Sequence, residues 1–255
     1  MNIKRLIRRP LEQIYIKRLQ RRLSTFTQPQ HIAVILDGNR RWAALQGGPT
    51  SRGHRVGAGK IEELLGWCEL HNVKVVTLWL LSTDNLGRPE SEVIPLLGII
   101  ENVAKELAVE KKWKLRALGH LPLLPERTRN VLLNVQNETK DIDGITVNLA
   151  VGYGGRRELL DAVKSLVGDL ERSDSKGIAD AITLEAIESH LYTSGQPDPD
   201  LVIRTSGEQR LSGFLMWQSA HSEFWFCDAY WPDFRYIDFL RALRDYGLRQ
   251  RRYGA

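Results

Sequence analysis

The residues best suited to chemistry follow the first apolar run of the chain. The segment Asp37–Trp42 comes directly after Ile32–Leu36 and contains the adjacent Arg40 and Arg41. A strand end followed by a glycine and a helix start exposes backbone N–H groups to an anion, and two arginines add charged donors. A phosphate group would repel Asp37 unless a cation lay between them. The segment therefore predicts a divalent metal ion that bridges Asp37 and a diphosphate.

Two further strand ends carry arginine together with hydroxyl, amide or carboxylate groups. The segment Ser82–Glu90 follows the apolar run Val75–Leu81, and Arg204–Ser212 follows the run that starts at Leu201, with Glu223 opening the next predicted strand. Ligands in open α/β sheets bind outside the carboxyl ends of the strands. The three segments therefore predict a shared anion site.

Two glycine clusters are less typical of a ligand site. The segment Gly53–Ile61 resembles a Walker A loop only superficially, because its glycine spacing differs and Ile61 stands where Ser or Thr would bind magnesium. The cluster Gly152–Gly155 joins a predicted strand to a helix, and such a cluster is more often turn chemistry than an anion cradle. A nucleotide-hydrolysing function is therefore disfavoured.

The elements that must position these residues alternate in type. Short β-branched or apolar runs alternate with longer amphipathic stretches, the pattern of βαβ units. The predicted strands are Ile32–Leu36, Val75–Leu81, Trp113–Leu118, Thr146–Val151, Leu201–Arg204 and Glu223–Cys227. The predicted helices are Val56–Leu70, Glu92–Glu110, Pro125–Thr139, Arg157–Leu170, Thr183–Leu191 and Phe234–Arg249. We therefore expect an α/β fold, a single domain over residues 31–255 with a largely parallel central sheet of about six strands.

The N-terminal region carries most of the excess positive charge. The 255 residues have a formal net charge of +5 from 36 basic and 31 acidic residues. Eight of the basic residues and only Glu12 of the acidic ones precede residue 24, which leaves 28 basic and 30 acidic residues in the body. A slightly acidic body argues against a nucleic-acid-binding surface on the folded domain.

Residues 1–30 are predicted to form a basic helical extension that begins near Pro10, with an apolar stripe. The stripe consists of Leu11, Ile14, Tyr15, Leu19 and Leu23. Basic amphipathic helices lie on anionic lipid surfaces, so one interpretation is a peripheral membrane contact. The other is a helix packed on its own domain with a solvated basic side.

Cysteine usage and hydropathy favour a cytoplasmic protein. Cys68 and Cys227 are far apart, so neither a disulfide framework nor a zinc ribbon is indicated. The most apolar run, Val75–Leu81, is far shorter than the about 20 residues of a membrane span. Charges interrupt the apolar residues at the N-terminus, unlike a secretion signal. We expect a cytoplasmic chain, with a peripheral contact at the inner face of the membrane left open.

Together, the ordered motifs resemble the cis-prenyltransferases, the family of undecaprenyl diphosphate synthase. The resemblance covers His31 to Gly254 and is carried by HIAVILDGNRRWA, GHRVGAGK, TLWLLSTDNLGRPESEV, VGYGGRREL, DPDLVIRTSGEQRLSGFLMWQSAHSEFWF and WPDF. The trans-type synthases depend on Asp-Asp-x-x-Asp motifs, and the sequence has none. The resemblance implies condensation of isopentenyl diphosphate with an allylic diphosphate, a new cis double bond, release of diphosphate, Mg²⁺ as cofactor and a homodimer.

The resemblance also implies roles for individual residues. Asp37 matches the essential metal-binding aspartate, Glu223 a second metal-contacting carboxylate, and Asn85 a position that helps to remove the proton, although the departing diphosphate is an alternative base. The residues that match the allylic diphosphate site are Gly38, Asn39, Arg40, Arg41, Trp42, His54, Ser82 and Arg88. Those that match the isopentenyl diphosphate site are Arg204, Arg210, Ser212 and Arg252. Arg252 belongs to a tail that resembles one reaching a neighbouring subunit, and the alternative is a frayed terminus.

Three residues depart from the long-chain pattern. Leu86 stands where Trp is usual and Arg40 where Gly is usual, and both changes resemble a short-chain actinobacterial branch. Thr50 stands where Arg is usual, so one contact with diphosphate is either moved or missing. Leu80 stands where long-chain members carry a small Ala on the strand that lines the product tunnel. Since each unburied methylene forfeits about 0.8 kcal/mol, a narrowed tunnel would stop elongation early. The alternative is that Leu80 only fills the core.

The resulting functional hypothesis is a short-chain synthase. It joins isopentenyl diphosphate to geranyl diphosphate and produces (2Z,6E)-farnesyl diphosphate. The alternatives are a medium- or long-chain polyprenyl diphosphate synthase, a lavandulyl-type synthase that couples two allylic units head-to-middle, and a non-catalytic partner subunit. The last is disfavoured because such subunits tend to lose the aspartate and the phosphate-binding arginines, which are present here.

Overall fold

Six strands form the sheet that the alternating pattern predicts. The computed structural model describes residues 3–172 and 177–249. The strands are β1 (His31–Ile35), β2 (Val75–Ser82), β3 (Lys114–Leu118), β4 (Thr146–Tyr153), β5 (Leu201–Arg204) and β6 (Glu223–Phe226). They follow one another across a parallel sheet in the order β3-β4-β2-β1-β5-β6. The predicted α/β fold is confirmed, and every strand begins and ends within two residues of its predicted bounds.

Along the chain, helices separate most of the strands from one another. They are α1 (Ile3–Leu23), α2 (Asn39–Leu45), α3 (Thr50–Leu70), α4 (Glu90–Val109), α5 (Glu126–Thr139), α6 (Gly155–Arg172), α7 (Ile178–Ala181), α8 (Leu184–Glu188) and α9 (Tyr236–Leu248). Short 3₁₀ turns occupy Asp84–Gly87, Leu121–Leu123 and Trp231–Asp233. None of the described helices is long and apolar enough to span a bilayer.

The starts of α1 and α3 and the end of α8 differ from prediction by three residues or more, and α2 and α7 were not predicted. The first helix already begins at Ile3, not near Pro10, because the residues before Pro10 are good helix formers. Helix α3 begins at Thr50 instead of Val56, so Gly53 lies inside a helix and not in a loop. Helix α2 was not among the predicted helices, because it is only seven residues long and starts after a glycine in the left-handed region.

The described chain forms two compact units. The first comprises residues 3–76, 199–209 and 221–249, and the second comprises residues 77–172, 177–198 and 210–220. Strands β1, β5 and β6 belong to the first unit, β3 and β4 belong to the second, and β2 has its first two residues in the first unit.

In the first unit, parallel register aligns the carboxyl ends of β1 and β5. Ile35 is paired with Arg204, and all residues of both strands are buried. Helix α1 packs on α9, with Leu19 and Leu23 buried and the Tyr15 hydroxyl accepting a hydrogen bond from Arg244 at 3.2 Å. The residues that follow β1 and β5 are therefore side by side.

In the second unit, β4 is buried along almost its whole length and pairs in parallel with β3. The backbone N–H of Thr83, one residue past β2, donates to the carbonyl of Tyr153 at 3.0 Å. On the other side of β4, the N–H of His120 donates to the Gly152 carbonyl at 3.1 Å. The segments that follow β2 and β3 therefore start at the same edge of the sheet as the end of β4.

Candidate active site

Two residues past the end of β1, the Asp37 carboxylate is held between two guanidinium groups. Its Oδ2 accepts a hydrogen bond from Arg204 Nη2 at 2.9 Å, and its Oδ1 accepts one from Arg41 Nη2 at 3.3 Å. Burial alone would raise the pKa of Asp37, but hydrogen bonds from Arg204 and Ser206 outweigh it and lower the pKa. Asp37 is therefore an ionised carboxylate at neutral pH.

Arg41 is held on several sides by the first unit. Its Nη2 donates to Ser206 Oγ at 2.6 Å, and its Nη1 donates to Glu208 Oε1 at 3.0 Å. Its guanidinium carbon lies 5.6 Å from the ring centroid of Tyr230. Burial alone would lower the pKa of Arg41, but the charge of Asp37 and a bond to Glu208 raise it. Arg41 is thus a fixed cation aimed at the carboxylate.

The charges of this cluster determine what it can bind. Arg41 and Arg204 carry two positive charges, and Asp37 and Glu208 carry two negative ones. A diphosphate that takes hydrogen bonds from the two guanidiniums competes with Asp37 for them, which leaves carboxylate oxygens available to a cation. Mg²⁺ is commonly bound by one or two carboxylates together with substrate phosphates. Among the described residues, no group of three or more His, Cys, Asp or Glu is placed so that it could hold a metal ion.

Gly38 sets the geometry between β1 and α2. Its φ of 106° lies in the region that favours glycine, and it is the N-cap residue of α2. A Cβ at this position would lie 2.6 Å from Tyr230 Cδ1. Glycine is therefore required both by the turn and by the ring that faces Arg41.

Two glycines of α3 allow the helix to pack against the start of α2. A Cβ on Gly53 would lie 2.0 Å from the Asn39 carbonyl oxygen, and one on Gly57 would lie 2.2 Å from Asn39 Oδ1. The Gly57 carbonyl accepts a hydrogen bond from Trp231 Nε1 at 2.7 Å. These contacts fix the position from which Arg40 and Arg41 extend.

The other predicted allylic-site residues of the first unit lie on the same two helices. Asn39 donates from Nδ2 to the Leu36 carbonyl at 3.1 Å, and Arg40 is exposed. Trp42 is half-buried, and its Nε1 has no hydrogen-bond partner among the residues that the structure describes. His54 is half-buried on α3, directly after Gly53.

Glu223 lies at the other edge of the sheet from this cluster. It opens β6 opposite Leu201, whereas Arg204, which contacts Asp37, is paired with Phe226. Three residues of strand separate the two positions, about 10 Å. Glu223 is instead bonded to Arg249 Nη1 at 2.5 Å. Glu223 lies at the amino end of its strand, whereas Asp37 follows the carboxyl end of β1. The structure therefore does not bring Glu223 to Asp37, and we do not assign the two carboxylates of one chain to the same metal ion.

In the second unit, the end of β2 and the turn that follows it carry four predicted residues. Ser82 is the last residue of β2, and its Oγ accepts a hydrogen bond from the Asn85 N–H at 3.1 Å. Arg88 Nη1 forms an ion pair with Glu92 Oε1 at 2.8 Å. Leu80 is half-buried on β2. The hydroxyl of Ser82 therefore fixes the backbone of Asn85.

The predicted isopentenyl diphosphate residues belong to different parts of the chain. Arg204 is buried in the first unit, whereas Arg210 and Ser212 are exposed on a segment of the second unit. Ser212 has a φ of 51°. Arg252 lies outside the described residues.

Three residues that contact Arg41 were not among the predicted site residues. Ser206 and Glu208 lie in the segment that begins with Arg204. No sequence motif indicated that Tyr230 belongs to the site. Ser206 and Gly207 have φ values of 79° and 76°, and their N–H groups donate to the Ala229 and Cys227 carbonyls, both at 2.8 Å. The Ser-Gly pair is a turn signal that could have indicated this reversal of the chain.

Known proteins are similar to this chain in sequence along almost its whole length. A family described as undecaprenyl diphosphate synthase matches residues 35–254. An isoprenyl transferase 1 of Streptomyces avermitilis is 54% identical over 256 residues and covers 100% of both chains. A (2Z,6E)-farnesyl diphosphate synthase of Thermobifida fusca is 56% identical over 255 residues, with 98% of this chain and 99% of that protein covered.

Among solved structures, the fold is similar to lavandulyl diphosphate synthase from Lavandula x intermedia in complex with dimethylallyl diphosphate. The TM-score is 0.84 at 33% sequence identity, and the match covers 89% of this chain and 99% of the other. Sequence and fold therefore agree, and the chain belongs to the undecaprenyl diphosphate synthase family, the cis-prenyltransferases.

Proposed function

We propose that this prenyltransferase is a short-chain Z-prenyl diphosphate synthase that joins isopentenyl diphosphate to geranyl diphosphate. The product is (2Z,6E)-farnesyl diphosphate, and diphosphate is released. The observation that carries the proposal is the Asp37 carboxylate held between Arg41 and Arg204 at the carboxyl ends of β1 and β5. Relatives named (2Z,6E)-farnesyl diphosphate synthase, 56% and 49% identical, support the product length.

The residues of the first unit assist the departure of diphosphate. The bond between the allylic carbon and its oxygen breaks, and both electrons leave with the diphosphate. Arg41 and the N–H groups after Gly38 bind the oxygens on which charge develops, in the manner of other preorganised anion sites. Asp37, released from its guanidinium partners, would hold Mg²⁺, which supplies further positive charge next to the diphosphate.

The isopentenyl unit then attacks the allylic cation, a carbon–carbon bond forms, and a proton leaves the new unit. The carboxamide of Asn85 is not a base, so we assign proton acceptance to the departing diphosphate. Ser82 holds the Asn85 backbone at 3.1 Å, which makes this pair an orienting element. Arg210 and Ser212 of the second unit bind the second diphosphate in this proposal, because two polyanions need separate cationic groups.

A product assay tests the function directly. The purified chain is incubated with Mg²⁺, isopentenyl diphosphate and dimethylallyl, geranyl or farnesyl diphosphate, and products are identified by chain length and double-bond geometry. One fifteen-carbon product with one new cis bond is expected from geranyl diphosphate. Long polyprenyl products would contradict the chain length, and no turnover would favour a partner subunit.

Head-to-middle coupling is the second candidate, because the fold is similar to lavandulyl diphosphate synthase. The same assay with dimethylallyl diphosphate as the only substrate tests it. A branched ten-carbon product formed without isopentenyl diphosphate would favour this candidate over the first.

Leu80→Ala is expected to lengthen the product beyond fifteen carbons. Leu80 is half-buried on β2, and removing its branched end opens room for further isoprene units. Each unit adds five carbons, whose burial is worth about 0.8 kcal/mol per methylene. The measurement is the chain length of products made from geranyl diphosphate.

Leu81→Ala is the matched control for Leu80→Ala. Leu81 is 1% exposed and points to the other face of β2. Its loss should cost about 2–5 kcal/mol of stability without lengthening the product. If both variants still stop at fifteen carbons, Leu80 only fills the core.

We also propose a homodimer in the cytoplasm that rests on anionic membranes through α1. Leu11 and Ile14 of this helix are 61% and 64% exposed, next to the exposed Lys17 and Arg18. Such a surface fits anionic lipid.

Analytical ultracentrifugation measures whether the chain is a homodimer, and a vesicle assay tests the membrane contact. Co-flotation with phosphatidylglycerol but not phosphatidylcholine vesicles is expected, and equal recovery with both would contradict an electrostatic contact.

A further inference from the structure

The segment 210–220, which carries Arg210 and Ser212, has an unusual backbone. Ser212, Gly213 and Leu215 have φ values of 51°, 86° and 44°. Serine and leucine rarely adopt the left-handed region, and such residues persist only where the surrounding structure holds them. The segment must therefore be anchored by neighbouring elements.

The first anchor is an aromatic stack. Phe214 is fully buried, and its ring stacks on that of Trp79 of β2, with centroids 4.9 Å apart and planes 7° from parallel. The ring also meets the buried Tyr153 of β4 edge-on at 5.9 Å and 86°. At these distances an aromatic pair contributes stabilising free energy in addition to that from the apolar area it buries.

The second anchor is formed by the backbone. The Gly155 N–H, at the start of α6, donates to the Gly213 carbonyl at 2.9 Å. A Cβ on Gly155 would lie 2.5 Å from that oxygen, so the contact requires glycine. The residue directly after Ser212 and the one after that are thus both fixed to the strands and helix of the second unit.

Strand β2 serves two purposes on its two faces. Trp79 and Leu80 are successive residues, so their side chains point to opposite faces of the sheet. The face of Trp79 supports the segment 210–220, whereas the proposed chain-length residue is on the other face. A substitution in the stack of Phe214 and Trp79 should therefore leave the length of the product unchanged.

We propose that Phe214, stacked on Trp79, is a positioning residue for isopentenyl diphosphate. It holds Arg210 and Ser212 in the conformation that meets the diphosphate group, and it does not touch the substrate itself. This inference rests on the proposed function, in which Arg210 and Ser212 bind isopentenyl diphosphate. The stack preorganises the segment, so its loss must be offset by binding energy from that substrate.

Steady-state kinetics of Phe214→Leu test the inference. Leucine keeps an apolar side chain but removes the stack, so the KM for isopentenyl diphosphate should rise about three- to tenfold. The KM for geranyl diphosphate and the product length should stay the same, and kcat should change less than about twofold. An equal rise in both KM values would overturn the proposal.

Three further variants keep the test decisive. Trp79→Leu should raise the same KM, Trp79→Phe should keep it near that of the wild type, and the double variant Phe214→Leu/Trp79→Leu should add little to either single change. Trp113→Leu is the control, because Trp113 is 1% exposed in the second unit next to the start of β3. If Trp113→Leu raises the KM for isopentenyl diphosphate equally, the effect is one of general stability and the inference is wrong. A wild-type chain without turnover would instead contradict the proposed function.

Discussion

Asp37→Asn is expected to lower kcat for the condensation by about 10³-fold. The asparagine has nearly the shape of the aspartate but loses the charge that Arg41 and Arg204 contact at 3.3 and 2.9 Å. It also loses the oxygen donor that would hold Mg²⁺ next to the diphosphate. The measurement is the steady-state rate with isopentenyl and geranyl diphosphate, and a variant that keeps more than a tenth of the activity would contradict the assignment.

Metal binding separates the chemical role of Asp37 from its structural one. Calorimetric titration of Mg²⁺ in the presence of inorganic diphosphate should show weaker binding to Asp37→Asn than to wild type. Arg204 is only 4% exposed, so losing its carboxylate partner should also cost about 1–3 kcal/mol of stability. Asp143→Asn, on an exposed loop residue, is the control that should leave rate and stability unchanged.

The stability difference between wild type and Asp37→Asn should depend on pH in one direction. Hydrogen bonds from Arg204 and Ser206 overcome the effect of burial and hold the pKa of Asp37 below its usual range. A carboxyl with a lowered pKa stabilises the fold above its unfolded pKa of about 3.9, and this contribution is lost as pH falls through the folded pKa. The difference in unfolding free energy should be constant at neutral pH and shrink in acid.

Gly53→Ala is expected to destabilise the fold by about 3 kcal/mol and to abolish most activity. The added methyl carbon would lie 2.0 Å from the Asn39 carbonyl oxygen and 2.8 Å from its carbon. Both atoms are backbone, so α2 must move, and Arg41 moves with it. Chemical denaturation and the condensation rate measure the two effects.

Gly59→Ala is the matched control in the same helix. Gly59 is exposed, and nothing lies within 4 Å of an added Cβ. Alanine in a helix interior should therefore stabilise the fold by up to about 1 kcal/mol without affecting the rate. A similar loss of stability in both variants would contradict the prediction, because it would show that the contact between α3 and α2 does not determine the result.

Local pattern was sufficient for the strands and for part of the site. Runs such as Leu201–Arg204 are buried on both faces, so their apolar composition alone indicates a parallel strand. The prediction of a shared anion site placed Asp37 and Arg204 at one edge of the sheet, because parallel strands bring their carboxyl ends to the same edge. In the structure the two side chains lie side by side, 2.9 Å apart.

The amino-acid pattern therefore predicts the order of the elements and the residues that follow β1 and β5. Which of these residues contact one another depends on packing in the folded chain. The packing of α3 against Asn39 requires glycine at position 53. Asn39–Leu45 forms helix α2, although the local sequence is typical of a turn. Register places Glu223 at the amino edge, next to Arg249 and away from Asp37. Such contacts join residues distant in the chain, and their free energy comes from packing and charge in the folded state, which no local pattern contains.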